Sequence, residues 1–326
     1  MCPKIFLSLI DVYYNTNPSF VSSMAARGWK TALRLEGQPC APDQLREMYA
    51  DADVFVVNVN PVTAEMMDAA PNLRLIAVFG AGYQQVDVEA ATRRGIYVTA
   101  ARGGSAIAVA EQCFALFLSL SRRVQVDDKR IRAGEWISPV GQELYGKTLG
   151  IIGLGIIGKE VARIAKHGFN MDVLAYDPYL TAAQAAQIGV RQVSLEELLR
   201  QSDYVSVHTP LTEATEGLIN KETLALMKPT AFLANMSRGA VVREGDLYEA
   251  LISGQIAGAG LDVHGYEPIS PEHPSPFVAL DNVVLTSHAG AGSVEAVARI
   301  GQMITENIED VLAGRAPRNF PVNQVG

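Results

Sequence analysis

Between Lys147 and Asp177 the chain reads KTLGIIGLGIIGKEVARIAKHGFNMDVLAYD, and this stretch restricts the possible folds more than any other. A short apolar run, Leu149–Ile152, is long enough for one buried strand. Gly153, Gly155 and Gly158 follow in a G-x-G-x-x-G spacing, with Leu154, Ile156 and Ile157 between them. Val161, Ile164 and Ala165 continue at helical spacing, and a second apolar run, Val173–Tyr176, ends at Asp177. A bare glycine triplet specifies little. A triplet between a strand and a helix, with an acid about twenty residues on, is the fingerprint of a dinucleotide site. Gly153 permits the tight turn, Gly155 lets the backbone approach a pyrophosphate, and Gly158 lets the helix pack closely on the strand. The helix N-terminus offers N–H groups and the positive end of its dipole to the phosphates. Asp177 can accept hydrogen bonds from both hydroxyls of an adenosine ribose, whereas a 2′-phosphate there would meet a like charge. The expected cofactor is therefore NAD, with NADH preferred over NADPH.

At 326 residues the chain is long enough for two domains. Ahead of the glycine motif, strand-like runs at 4–10, 30–35, 54–57, 75–79 and 96–99 alternate with helical patterns at 20–28, 42–49, 63–69 and 88–94. Such alternation predicts parallel βαβ units in a sheet covered on both faces. Ser105–Leu120 then reads as one apolar helix, buried between layers and carrying the chain into a second domain. A charged helix over 122–132 and a loop over 134–146, with Trp136 and Pro139, lead into the glycine motif. Beyond it, strands are expected at 204–208, 231–235, 258–262 and 283–286, and helices at 182–188, 194–200, 223–226 and 244–253. Ser194-Leu195-Glu196-Glu197 reads as a capping box opening its helix. A final helix, Val294–Leu312, is expected to return to the first domain. The fold class is α/β, with two Rossmann-like or flavodoxin-like parallel-sheet domains. A substrate domain, 1–103 plus 291–326, is interrupted by an NAD-binding Rossmann domain, 104–290.

A formal net charge of −8 argues against a nucleic-acid surface. Cys2, Cys40 and Cys113 are scattered and odd in number, which suggests neither a disulfide framework nor a metal site and fits a reducing, cytoplasmic location. The N-terminal apolar run is too short for a signal peptide, and no stretch has the length of a membrane span.

Chemistry-bearing side chains cluster after three of the expected strands: Asn235-Met236-Ser237-Arg238-Gly239, Asp262 to Pro268, and Thr286-Ser287-His288-Ala289-Gly290. In open parallel sheets ligands bind outside the carboxyl ends of the strands, so Arg238, Glu267 and His288 should converge near a nicotinamide.

These segments carry a resemblance. With GLGIIG and Asp177, HTPLT at 208–212, NMSRG at 235–239, LDVHGYEP at 261–268 and SHAG at 287–290, the chain resembles the D-isomer-specific 2-hydroxyacid dehydrogenases over essentially its full length. The resemblance implies Arg238, Glu267 and His288 as catalytic residues, the interrupted two-domain layout and a homodimer. It implies cofactor contacts from Gly153, Gly155, Ile156, Ile157, Gly158, Asp177, His208, Thr209, Pro210, Thr215, Met236, Ser237, Arg238, Asp262, His288 and Gly290. Gly80, Ala81 and Gly82, with Arg238 and His288, are the expected substrate contacts, and no metal is expected.

The expected roles follow from reducing a 2-keto acid, which needs a hydride and a proton at one carbonyl. His288 would be the acid, since an imidazole titrates near neutrality. Glu267, bonded to the far ring nitrogen, would favour the imidazolium and fix its orientation. Arg238 would grip the carboxylate and polarise the carbonyl with its planar fork of donors. The Ala81 and Gly82 N–H groups would hold the other carboxylate oxygen. His208 is expected to line the cofactor groove, His167 to be solvated, and His264 and His273 to be loop residues without a nameable partner. Trp136 fits either a neighbouring subunit's active site or simple packing. Arg102 fits either a ligand contact or an exposed position, in a segment, 100–106, that lacks the Asn-x-Pro-Gly turn and the threonine many members carry.

Candidate substrates are glyoxylate, hydroxypyruvate or pyruvate. Asn58-Val59-Asn60-Pro61 stands where phosphoglycerate dehydrogenases often place arginines, which disfavours that alternative. An NAD-sensing corepressor of the same fold is the competing class. The shortness of the chain beyond the last helix is expected to favour the enzyme.

Overall fold

The computed structural model describes residues 2–325 and divides the chain into two compact units, 1–106 with 291–326, and 107–290. In the first unit, β1 (Lys4–Ile10), β2 (Lys30–Glu36), β3 (Val54–Val57), β4 (Leu75–Val78) and β5 (Tyr97–Ala100) form a parallel sheet in the order β2-β1-β3-β4-β5. Side chains alternate across it, as a strand's period of about two requires. Ile5, Leu7, Val54, Val56 and Leu75 pack on one face with Phe20 and Met24 of helix Pro18–Ala26. The long helix Val294–Leu312 joins them through Val297, Ile300, Ile304, Ile308 and Val311, one apolar stripe at three- and four-residue spacing. Each such fully buried aliphatic side chain stabilises by about 2 kcal/mol, which is why the far end of the chain returns to this sheet. The tail is also stitched to β5: Asn323 accepts from the Val98 N–H at 2.7 Å and donates to the Ile96 carbonyl at 2.9 Å. The opposite face packs Phe6, Phe55, Ile76 and Val98 against Tyr49, Met67, Ala90 and Ala91.

The second unit holds β6 (Thr148–Ile152), β7 (Asp172–Tyr176), β8 (Arg191–Gln192), β9 (Tyr204–Val207), β10 (Phe232–Asn235), β11 (Gly258–Leu261) and β12 (Val283–Leu285). All pair in parallel, in the order β12-β11-β10-β9-β6-β7-β8. Chain order reverses between β6 and β9, the switch point at which such sheets bind ligands. Both faces are covered by apolar clusters, one of them shared by helices Ala106–Arg122 and Ile156–Phe169.

The apolar helix expected at 105–120 runs on to Arg122 and stops because Arg123 takes a left-handed conformation, φ 56°. Helix Asp11–Thr16 and the two-residue β8 are additions to the expected elements. The capping box at Ser194 is half-formed. Its hydroxyl accepts from the Glu197 N–H at 3.1 Å, but the Glu197 carboxylate is drawn instead to Arg191 at 2.6 Å and Gln201 at 3.0 Å. Among the described residues no helix is long and apolar enough to cross a membrane.

Candidate active site

The glycine motif joins β6 to helix Ile156–Phe169. Gly153 has φ 93°, and a Cβ there would lie 2.8 Å from the Thr209 nitrogen, so the turn presses directly on the loop after β9. A Cβ on Gly158 would reach the Gly153 oxygen at 2.3 Å, which is the close helix–strand approach the motif requires. A Cβ added at Gly155 would meet nothing within 4 Å, and this residue caps the helix without a side-chain partner. The space a pyrophosphate needs is therefore open beside the helix N-terminus, where orphan N–H groups gather. Asp177 follows β7 directly. Its carboxylate accepts from the Leu154 N–H and the Tyr179 N–H, each at 2.9 Å, which ties it to the glycine turn. An ionised carboxylate has about four acceptor positions, so room for ribose hydroxyls remains.

The loop after β9 begins with His208, whose two ring nitrogens are buried without a partner. Burial pushes its pKa down to about 3, so the ring is neutral at physiological pH. Thr215 spends its hydroxyl within this loop, donating to the Pro210 carbonyl at 2.6 Å and accepting from the Thr212 N–H at 2.8 Å. Met236 and Ser237 follow β10 and are both buried. Ser237 bonds the Asn235 side chain through its hydroxyl at 2.9 Å, and Met236 packs in the core. The side chains of Thr215, Met236 and Ser237 are thus committed internally.

Three strand ends bring together Arg238, Glu267 and His288. His288 Nδ1 lies 2.8 Å from Glu267 Oε2. The other Glu267 oxygen accepts from the His264 N–H at 2.9 Å. The Glu267 hydrogen bond raises the His288 pKa above its ordinary value, against the opposing effects of burial and the Arg238 charge. Burial alone would raise the Glu267 carboxyl, but its bonds to His288 and the His264 N–H prevail and hold it below the usual range. The pair therefore favours imidazolium and carboxylate. Arg238 is half-buried, with one guanidinium N–H spent on the Ser237 carbonyl at 2.6 Å.

Asp262 sets the backbone of the histidine loop. The residue is 2% exposed; its carboxylate accepts from the Thr286 hydroxyl at 2.6 Å and the Ala289 and Gly290 N–H groups at 2.8 and 3.0 Å, while its carbonyl takes the His288 N–H at 2.8 Å. Within this frame His288 holds φ 54°, a conformation that costs a non-glycine residue on the order of 1 kcal/mol or more. Asp262 was expected as a cofactor contact; here its carboxylate is given to this loop. His264, expected to be a partnerless loop residue, is buried, and its Nε2 lies 2.8 Å from the Thr286 carbonyl. His273 is exposed and packs on Tyr266 at 4.0 Å between ring centroids, while His167 is exposed.

In the first unit, the turn after β4 is pinned by the Gly80 N–H on Val78 O at 2.9 Å and the Ala101 N–H on Gly80 O at 2.8 Å, and Ala81 is exposed. Arg102 is exposed and lies over the Tyr83 ring at 5.5 Å.

Residues 114–290 match the family model for the NAD binding domain of D-isomer specific 2-hydroxyacid dehydrogenases. The chain is 45% identical over 285 residues to a glyoxylate reductase of Korarchaeum cryptofilum, covering 85% of each. It is 42% identical to a D-3-phosphoglycerate dehydrogenase of Archaeoglobus fulgidus, over 84% of this chain but only 52% of that protein. A crystal structure of a Thermus thermophilus protein superposes with a TM-score of 0.86 at 35% identity, over 98% of this chain and 100% of the other. The chain belongs to the D-isomer specific 2-hydroxyacid dehydrogenase family. Membership makes it an NAD-binding oxidoreductase that interconverts 2-keto and 2-hydroxy acids.

Proposed function

We propose that the protein reduces a small 2-keto acid, of the glyoxylate, hydroxypyruvate or pyruvate type, to the D-2-hydroxy acid with NADH. The observation that carries this reading is the His288–Glu267 pair at 2.8 Å, poised as an acid beside the Arg238 charge. NADH, when bound, supplies the hydride. His288 gives the carbonyl oxygen its proton from Nε2, since Nδ1 is held by Glu267. Arg238 binds the substrate carboxylate and draws charge onto the carbonyl oxygen with its remaining donors. Glu267 keeps the ring charged before transfer and stays ionised after it. His288 is reprotonated from solvent after each turnover, as its side chain is 48% exposed.

A glyoxylate reductase relative covered over most of its length supports a small substrate. A phosphorylated tail would need cations, but the segment after β3, Asn58-Val59-Asn60-Pro61, has none, and its two side-chain amides are already in use. Asn58 donates to the Phe79 carbonyl at 2.7 Å and Asn60 to the Ser8 hydroxyl at 3.3 Å. Oxidation of NADH with glyoxylate, hydroxypyruvate, pyruvate and 3-phosphohydroxypyruvate tests the choice. The first three should turn over faster than the phosphorylated acid.

The NADH preference rests on Asp177. A 2′-phosphate would remove a ribose hydroxyl and confront a carboxylate that two N–H groups hold in place. Fluorescence titration should show NADH binding at least about tenfold more tightly than NADPH, a difference of roughly 1.4 kcal/mol. Asp177→Ala should narrow the gap, and equal affinities in the parent protein would remove Asp177 from this role.

A homodimer fits the apolar surface of the second unit. Trp136 is 88% and Val140 91% exposed, with Ile131, Ile137 and Tyr145 also exposed, so Trp136 has no packing role within its own unit. Exposed apolar side chains concentrated in one segment, 131–145, are what an interaction surface would present. Light scattering should give twice the 35.0 kDa chain mass, and Trp136→Ser should shift the protein toward monomer. A location in the cytoplasm fits Cys2, Cys40 and Cys113, all of them free.

A further inference from the structure

His264 is the buried titratable group that this mechanism leaves unused. It is 8% exposed and lies in the turn between β11 and Glu267. Its backbone N–H holds Glu267 Oε1 at 2.9 Å, and its ring Nε2 reaches the Thr286 carbonyl at 2.8 Å, two residues before His288. A carbonyl only accepts, so Nε2 carries the ring proton. Nδ1 is then left buried and without a partner. An unsatisfied buried nitrogen is destabilising, so an apolar ring here would be favoured unless the Nε2 bond does something useful.

The turn around His264 is fixed from two other sides. The Gly265 N–H donates to Glu244 at 2.7 Å, and a Cβ on Gly239 would strike the His264 oxygen at 2.0 Å, so the loop after Arg238 packs on this backbone. These contacts hold the glutamate turn to the arginine loop. The His264 ring adds a direct side-chain bond from the glutamate turn to the Thr286 segment, beside the bonds made by Asp262 and the Glu267–His288 pair itself. We propose that His264 is a positioning residue whose Nε2–H bond to the Thr286 carbonyl sets the separation of Glu267 from His288. The inference rests on the reading in which that pair is the acid.

Two substitutions separate the bond from the ring. His264→Phe keeps a planar ring and loses the donor, and His264→Gln loses the ring but can place an amide N–H near the Nε2 position. Misplacement by about 1 Å can cost on the order of a hundredfold. His264→Phe should therefore lower kcat roughly ten- to a hundredfold, and His264→Gln should recover most of it. The His288 imidazole, followed by NMR in the free protein, should titrate at lower pH in the Phe variant, because the Glu267 bond that raises it is loosened. Asp262 and Arg238, the other charges felt at His288, are unchanged in both variants. NADH affinity should be equal to that of the parent. Should the Phe variant not fold, His264→Asn, one carbon too short to reach, takes its place beside Gln. A His288 titration unmoved in the variant lacking the donor, or a Gln variant as impaired as Phe or Asn, overturns the proposal. The NMR titration reads the geometry without any substrate. Failure of the parent protein to reduce 2-keto acids would thus tell against the proposed function and leave this result standing.

Discussion

Replacing His288 by Ala or Asn should lower turnover of a 2-keto acid by about a hundred- to ten-thousandfold, the range for loss of a positioned general acid. NADH affinity should be nearly intact, because the glycine turn and Asp177 lie at other strand ends. Glu267→Gln refines the test. The Glu267 bond is the largest cause of the raised His288 pKa, so its loss lowers that value. Reduction needs the imidazolium, and its rate falls as pH rises through the His288 pKa. The alkaline fall of kcat/KM should therefore move to lower pH in Glu267→Gln. The reverse reaction needs neutral His288, and its acidic limb should move in the same direction. Stability carries the same sign. A raised imidazole pKa contributes stability below its ordinary value, near 6.5, and loses it as pH rises through the raised one. An unchanged pH profile would remove Glu267 from its role.

Arg238→Lys should impair both KM and kcat, with NADH affinity little changed. The proposed bond to the substrate carboxylate would exist in the ground state and the transition state alike, so its loss should raise KM. The bond to the carbonyl oxygen strengthens as negative charge develops there, so its loss lowers kcat. Lysine keeps the charge but offers a point donor in place of a planar fork. One Arg238 N–H is already given to the Ser237 carbonyl, which fixes the plane of the guanidinium, and an ammonium cannot reproduce that anchoring together with two substrate bonds. Arg238→Ala should be worse in both parameters. A Lys variant with near-normal constants would mean that Arg238 is not the substrate anchor. Arg102, exposed and laid over the Tyr83 ring, would then be the next candidate.

The elements that could be read from the sequence are those whose signal is local and repeated. The stripe of Ile300, Ile304, Ile308 and Val311 defines the last helix and its burial together. Glycine spacing and the acid at Asp177 define the cofactor turn, because each glycine answers a steric demand that the Gly153 and Gly158 contacts make visible. The proposed catalytic trio is legible only through its motifs, since nothing in periodicity brings residues 238, 267 and 288 to one place. His264 was missed for the same reason: a histidine in a turn has no pattern, and its bond to Thr286 crosses 22 positions. The half-formed capping box shows the limit of local rules. Ser194 and Glu197 have the right spacing, but Arg191 offers the carboxylate a charge, which outweighs a neutral N–H. The left-handed Arg123 that ends the apolar helix has no residue-type signal, since such a conformation is usually marked by glycine or asparagine.

NADH oxidation by the purified protein with glyoxylate, hydroxypyruvate and pyruvate, run beside His288→Ala, tests most directly whether the chain reduces a small 2-keto acid through the proposed trio of His288, Glu267 and Arg238. Saturable turnover is expected with at least one of these acids, lowered by about two orders of magnitude or more in the variant, at equal NADH affinity. Turnover that survives in His288→Ala, or NADH binding with no oxidation by any of the three acids, would contradict it.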